Sequence, residues 1–398
     1  MTKILFVYHV SIVGGGSYCL LNLLKAVDRS SFEPIVLLPQ KGPLCDEIKK
    51  LGIEIIYYPK LLVYPYNKTL FSFKTLKRIM KLRGSNKGFK RIVMQINPQI
   101  VYFNTMMLFP YLKTTKKLGC KTVLHVREHW PLDEHKCQLE NARRLVYKYA
   151  DKLIAINRYS ASIFPLKNAT IVYDWIDMES RCGGPSLEEF LGEKPEGKTV
   201  YLFTGGVDPV KGAVEVLNTF SHNILGDNKR LLALGVNATL NWNGIKGKIK
   251  RVLSILGYKT YPEKVLEICK KDKRIVCRQA IYNISDLMKS VDGIVSFFTI
   301  PHANLALAES IILKVNSIAA NTEEALEYSG NGEWARLYDF GNIEAFCRTW
   351  QKFDSCEGAS KLNLEKGSMV IKEQFSQIRN SEVFNDVLKS IARDCVKF

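Results

Sequence analysis

Residues Ile4–Val27 read ILFVYHVSIVGGGSYCLLNLLKAV. The apolar run Ile4–Val10 is short and rich in β-branched and aromatic residues, which suits a buried strand. Gly14-Gly15-Gly16 makes a turn, and Ser17–Val27 has the spacing of a helix. Strand, glycine turn and helix in that order open a βαβ unit. The alternation continues outward. Pro34–Leu38, Ile53–Tyr58, Ile100–Phe103, Thr122–Val126, Leu153–Ile156 and Thr170–Tyr173 read as further buried strands. Leu44–Leu51, Leu70–Arg83, Met107–Leu118 and Gln138–Tyr149 read as the helices between them. Apolar strands separated by amphipathic helices predict an α/β fold, a doubly wound parallel sheet covered on both faces.

Asp174–Lys198 interrupts this rhythm with Gly183, Gly184, Pro185, Gly192, Pro195 and Gly197, and reads as a linker with a short helix at Leu187–Leu191. The rhythm then restarts. Val200–Phe203, Leu231–Leu234, Arg274–Cys277, Gly293–Phe297 and Asn316–Ala319 read as strands, and Lys211–Phe220, Ser285–Val291, Asn304–Leu313, Asn342–Phe353 and Glu382–Cys395 as helices. Two similar α/β units in tandem point to a ligand held between them at the carboxyl ends of the strands.

Composition narrows the function classes. The chain has 398 residues, 46% hydrophobic and 24% charged, which excludes disordered, collagenous and low-complexity proteins. Its ten cysteines never form C-x-x-C, so a disulfide scaffold or zinc ribbon is not expected, and a reducing cytoplasm suits them. Neither a signal peptide nor a transmembrane helix is read; the longest uncharged run, Ile92–Leu112, is broken by polar residues and by Pro98 and Pro110.

The net charge of +18 is uneven. From Ile55 to Arg127 there are fifteen Lys and Arg and no Asp or Glu. Within that stretch Leu70–Arg83 puts Lys74, Lys77, Arg78 and Lys81 on the polar side of an amphipathic helix. Such a face is either solvated or turned to an anionic membrane surface, where each basic residue adds about 1 kcal/mol. Nucleic acid is not expected as a partner, since no zinc finger, RRM, KH or helix-turn-helix pattern occurs.

Four motifs carry candidate chemistry. Gly15 and Gly16 begin a helix after the first strand, where backbone N–H groups can meet an anion. A dinucleotide site is disfavoured there, because Cys19 stands at the last glycine of G-x-G-x-x-G and Pro39-Gln40 at the acidic position. Thr204–Gly212, TGGVDPVKG, repeats the pattern with Gly205, Gly206 and Lys211, whose ammonium suits a phosphate. Pro301–Ser310, PHANLALAES, has Asn304 as N-cap, so the N–H groups near Leu305 and Ala306 face an anion, with Glu309 one turn on to accept sugar hydroxyls. His125–His129, HVREH, matches H-x-x-E-H of inverzincin peptidases, but that chemistry needs a helix, and the β-branched run before it and Pro131 after it favour a strand end. His125 there is an acid/base, an orienting group or a core histidine, and Arg127 a phosphate holder. No metal site is expected, and no D-x-D stands at a strand end.

Together these pieces resemble a family-four glycosyltransferase of the GT-B fold. GGGSYCLLNLLKAV, TVLHVREHW, ADKLIAINRYSA, ATIVYDWID, FTGGVDPVKG, PHANLALAES and NSIAAN occur in the family's order along nearly the whole chain. The resemblance implies two Rossmann-like domains: residues 1–175 on the acceptor side, a linker at 176–198, a nucleotide-sugar domain at 199–375, and a helix at 376–398 returning to the first domain. It implies sugar transfer with retention from a nucleoside diphosphate sugar to a glycan or lipid-linked acceptor, in cell-surface polysaccharide biosynthesis, without a cofactor or essential metal. His125 and Arg127 would then be catalytic with Lys211 and Glu309. Gly15, Gly16, Gly205, Gly206, Lys211, His302, Asn304, Leu305, Ala306 and Glu309 would bind the donor. The enzyme would be cytoplasmic, held at the inner face of the membrane by Lys74, Lys77, Arg78 and Lys81. Two positions depart from the family pattern: Gly206 replaces the arginine that partners the lysine, and Pro301 replaces the first of two glutamates eight residues apart. A non-catalytic GT-B partner, a nucleotide-sugar epimerase and a zinc peptidase at His125–His129 are the rival functions.

Overall fold

Strands β1 (Thr2–Val7), β2 (Phe32–Leu38), β3 (Glu54–Tyr57), β4 (Ile100–Phe103), β5 (Lys121–Val126), β6 (Lys152–Ala155) and β7 (Ala169–Ile171) form one parallel sheet in the order β3-β2-β1-β4-β5-β6-β7. Strands β8 (Thr199–Phe203), β9 (Lys229–Leu234), β10 (Ile275–Arg278), β11 (Gly293–Val295), β12 (Ser317–Asn321) and β13 (Arg336–Asp339) form a second, in the order β10-β9-β8-β11-β12-β13. This computed structural model describes residues 1–12, 14–65, 73–130, 136–236, 259–355 and 362–396. Both sheets are doubly wound, with the order reversing between β1 and β4 and between β8 and β11. The chain divides into two compact units, one of Met1–Trp175 with Phe375 onward and one of Ile176–Gln374.

In the first unit successive strand residues feed opposite cores. Leu5, Val7, Val101, Phe103 and Leu124 pack on one face with Phe89 and Val93, while Ile4, Phe6, Tyr102 and Val123 pack on the other with Leu20 and Leu24. That two-sided burial is why the strands read as continuous apolar runs. The second face is completed by the C-terminal helix Gln377–Val396, whose Phe384, Leu388 and Ile391 join the same core. Asn385 fastens it, donating from Nδ2 to Ala26 O at 2.7 Å and accepting the Asp28 N–H at 3.0 Å.

The structure changes several element boundaries. Strand β1 ends at Val7, three residues before the expected end. The helix expected over Leu70–Arg83 spans Phe73–Ile96; residues 70–72 and the side chain of Lys74 lie outside the described set. It continues through Gly84, Ser85 and Gly88 because packing overrides propensity. A Cβ on Gly88 would lie 2.2 Å from the Tyr58 hydroxyl, which donates to Ser85 O at 2.8 Å. Gly88 is thus a close-approach residue rather than a helix breaker. Pro110 divides the expected helix Met107–Leu118 into a 3₁₀ turn, Met106–Tyr111, and a short α-helix, Leu112–Lys117. In the second unit β11 ends at Val295 rather than Phe297, and β13 and helices Tyr261–Lys271, Glu323–Ser329 and Leu364–Gln374 add to those expected.

Phe384 is fully buried, with its ring centroid 5.8 Å from that of Tyr102. Phe384→Ala should destabilise the first unit by about 3–5 kcal/mol, read by denaturant unfolding; a loss below about 1 kcal/mol would show that the C-terminal helix does not close this core.

Candidate functional site

Each unit gathers its candidate residues at the carboxyl ends of the strands flanking its order reversal, where neighbouring connections leave in opposite directions and open a crevice. In the first unit β1 leads through Tyr8 and His9 to the helix Gly15–Ala26. Gly14, its N-cap, is extended and supplies no side-chain cap, and no acidic residue stands in the first turn. A Cβ on Gly14 or Gly15 would meet nothing within 4 Å, while one on Gly16 would lie 2.9 Å from the Tyr8 hydroxyl. The helix start is therefore open at Gly15, and Gly16 is needed for the approach of Tyr8.

Beside it, β4 ends at Asn104 and β5 carries His125 and leads to Arg127. His125 is fully buried, with Nδ1 2.8 Å from the Tyr102 hydroxyl. Burial, reinforced by the charge on Arg127, lowers its pKa well below the ordinary histidine value, so it is neutral. Burial likewise pushes His9 down to about 4. His9 Nδ1, Ser11 Oγ, both amide atoms of Asn104, His125 Nε2 and one η-nitrogen of Arg127 are buried without a hydrogen-bond partner in the protein. Buried polar atoms are normally satisfied, so the unpaired atoms gathered at the ends of three adjacent strands, β1, β4 and β5, are atoms that water or a polar ligand would satisfy.

Arg127 departs from expectation. Its guanidinium meets the Asp174 carboxylate at 2.6 Å, and both side chains are about nine-tenths buried. Burial opposes the charge on Arg127, but Asp174, with Cys19 and Tyr8 near it, holds its pKa above the ordinary value. Arg127 is a buried ion-pair member rather than a free phosphate holder. The peptidase geometry is also absent. His125 lies on a strand, and His129 stacks on Tyr159 at 4.1 Å between centroids. Among the described residues no cluster of His, Cys, Asp or Glu is placed to hold a metal.

In the second unit β8 leads to Gly205 and Gly206. The Gly206 amide donates to Leu234 O at 3.1 Å, and a Cβ there would lie 3.3 Å from Gly235 O. Its amide is engaged by β9, so Gly206 serves close approach rather than anion binding. Lys211 ends a 3₁₀ turn, Pro209–Lys211, and Gly212, in the left-handed conformation at φ 60°, separates it from the helix Ala213–Asn223. Lys211 thus stands just before the helix, and among the described residues no carboxylate pairs with it.

Beyond β11, Asn304 caps the helix Leu305–Ile312 by accepting the Leu307 N–H at 3.2 Å, and its own Nδ2 donates to Ser296 at 2.8 Å. The cap takes the third amide of the helix and leaves those of Leu305 and Ala306 without helical partners. His302 is exposed, 5.9 Å from the Phe298 ring. Glu309 is held by Arg181 of the linker region at 2.5 Å. Asn104, His9, Asp174 and Arg181 are not among the candidate residues of the sequence: Asp174 stands within the ATIVYDWID segment and the other three in no motif that assigns them a role, and only the fold places them at a site.

No family model matches the chain, and no curated protein matches it in sequence. Solved structures do match in fold. HepE of Anabaena in complex with UDP-glucose superposes with a TM-score of 0.72 at 15% identity, covering 98% of this chain and 100% of that one. The lipopolysaccharide outer core galactosyltransferase WaaB gives 0.62 at 16% identity, over 98% and 99%. A Listeria monocytogenes protein assigned as a UDP-N-acetylglucosamine 2-epimerase gives 0.58 at 13% identity, over 97% and 94%. The fold is GT-B, with two Rossmann-like parallel-sheet domains.

The buried histidines give a pH test. An unfolded histidine titrates near 6.5, so between that pH and about 4 the unfolded chain takes up protons that folded His9 and His125 refuse. Their contribution is complete above pH 6.5 and is lost as pH falls toward 4. Urea unfolding at pH 7.5 and 5 should show His9→Gln and His125→Gln each losing roughly 1–2 kcal/mol less than the parent. Equal losses would mean that both rings are hydrated.

Proposed function

We propose that this chain is a retaining glycosyltransferase that moves a sugar from a nucleoside diphosphate sugar to a glycan or lipid-linked acceptor in cell-surface polysaccharide assembly. The observation that carries the proposal is the second-unit arrangement of Lys211, the unpartnered Leu305 and Ala306 amides, and Glu309, at the order reversal of a GT-B sheet. The ammonium of Lys211 and the positive end of the Asn304-capped helix stabilise the diphosphate as it leaves, the charge that develops in the transition state. Glu309 accepts a ribose hydroxyl. In the first unit the unpaired atoms of Asn104, His9 and His125 are uncharged, which suits sugar hydroxyls, and His125 lacks the free proton of an imidazolium. Asn304 positions rather than reacts. No metal is required for this charge balance.

A second reading, an epimerase acting on the same donors, is favoured by the likeness to the Listeria protein. A third, a non-catalytic partner, is favoured by Gly206 and Pro301. One experiment orders the three. Calorimetry with UDP, GDP, ADP and CDP should show binding of at least one, and Lys211→Ala should weaken it roughly 10- to 100-fold, as for a lost charge-assisted hydrogen bond. No binding by the parent favours the partner reading, and an altered sugar after incubation with UDP-N-acetylglucosamine alone favours the epimerase.

The basic helix supports attachment at an anionic membrane surface. Leu82, Phe89 and Val93 face the core of the first unit, while Leu76, Met80 and Met94 are 55%, 59% and 60% exposed and interleave with exposed Lys77, Lys81, Lys87 and Arg91. Apolar side chains among cations suit a lipid headgroup layer. Among the described residues no helix is long and apolar enough to cross a membrane. The protein should sediment with phosphatidylserine vesicles, not with phosphatidylcholine alone, and Lys77, Arg78 and Lys81 changed together to Gln should weaken binding about tenfold or more. Equal sedimentation with both vesicles would leave the helix a solvated surface.

A further inference from the structure

Arg181 lies in a 3₁₀ turn, Glu179–Arg181, in a segment with no recognised motif, yet its side chain is held on three sides. Its guanidinium meets Glu309 at 2.5 Å, its Nε donates to Tyr282 O at 3.1 Å, and it lies 5.5 Å from the centre of the Tyr282 ring. Exposure is 20% for Arg181 and 14% for Glu309, so this is not a loose surface pair. The turn is itself pinned. Ser285 Oγ donates to Met178 O at 2.5 Å, the Gly183 N–H donates to Asp286 at 2.7 Å, and a Cβ on Gly184 would fall 1.9 Å from Asn283 O.

The pair uses one oxygen of Glu309, Oε1. Among the described residues no donor reaches Oε2. Glu309 is three and four residues beyond Ala306 and Leu305, so it shares a helix face with their unpartnered amides. Helical side chains lean toward the N-terminus, which places the Glu309 carboxylate on the side of the helix's first turn. Without a cation beside it this carboxylate would be free to swing out to water; the contact with Arg181 holds it in place.

We infer that Arg181 is the positioning residue of the nucleotide site: it holds Glu309 by one oxygen and leaves the other presented, and thereby sets the preference for a ribose bearing hydroxyls. This rests on the donor-site reading above. Arg181 does not touch the diphosphate; it acts through Glu309. A planar guanidinium anchored on both a carbonyl and an aromatic face fixes a carboxylate's direction better than an ammonium does.

The test separates this role from general support. The parent, Arg181→Ala, Arg181→Lys and Glu309→Gln are titrated by calorimetry with UDP, GDP, ADP and CDP and with the 2′,3′-dideoxy counterpart of whichever binds. The parent should favour the ribonucleotide about tenfold or more, as one hydrogen bond to a charged group gives. Arg181→Ala should lower that ratio to below about threefold while keeping the dideoxy affinity, Arg181→Lys should fall between, and Glu309→Gln should match Arg181→Ala. A merely structural arginine would weaken both nucleotides together. A ratio unchanged in Arg181→Ala and Arg181→Lys, or absent in the parent, overturns the inference while leaving the donor site standing. If the parent binds no nucleotide, both fall. Should Arg181→Ala not fold, the Lys and Gln variants decide by the same ratio.

Discussion

The first four N–H groups of any helix lack partners within it. In a doubly wound parallel sheet that deficit is concentrated at one edge. Where strand order reverses, between β1 and β4 and between β8 and β11, the two outgoing connections part and leave the helix starts at that edge of the sheet. The open turn at Gly15, the uncapped amides of Leu305 and Ala306, the unpaired amide of Asn104 and the lone ammonium of Lys211 all follow from that edge. The strands need only be apolar and short to build it. The chemistry is then added by the few residues that follow each strand, which is how one architecture serves transferases and epimerases alike.

Much of this was legible in the chain. The two-period burial of β4, β5 and β8 made them apolar on both faces, and the helix cap at Asn304 followed from one side chain and its position. What the chain does not show locally is whatever depends on long-range approach. Gly88 resembles a helix breaker until Tyr58 is seen against it, and Gly206 resembles an anion-binding amide until β9 takes its N–H. Asn104 is one asparagine after an apolar run, and its significance comes from β1 and β5 on either side. Arg127 stands in a legible motif, but its partner Asp174 lies 47 residues on, beyond a strand that only the sheet order brings near.

The distribution of arginine explains part of the electrostatics. The molecule is strongly cationic, yet two arginines at its candidate sites are turned inward on carboxylates, Arg127 on Asp174 and Arg181 on Glu309. Each such pair costs desolvation and is poor evidence of stability, but it fixes a charge in direction. Lysines instead populate the outer face of the helix Phe73–Ile96, where a hydrated, flexible ammonium suits a diffuse anionic surface better than a single ligand.

The first unit is discontinuous. About 200 residues separate Trp175 from Phe375, and the face of Leu20, Leu24 and Tyr102 is covered only when Phe384, Leu388 and Ile391 arrive. On a translating ribosome adding about 5–20 residues per second, that greasy patch waits roughly 10–40 s for its cover. Ile176–Gln374, being contiguous, is free to finish folding in the interval. The half synthesised first therefore completes its core last, when the C-terminal helix reaches the flank of the helix Gly15–Ala26.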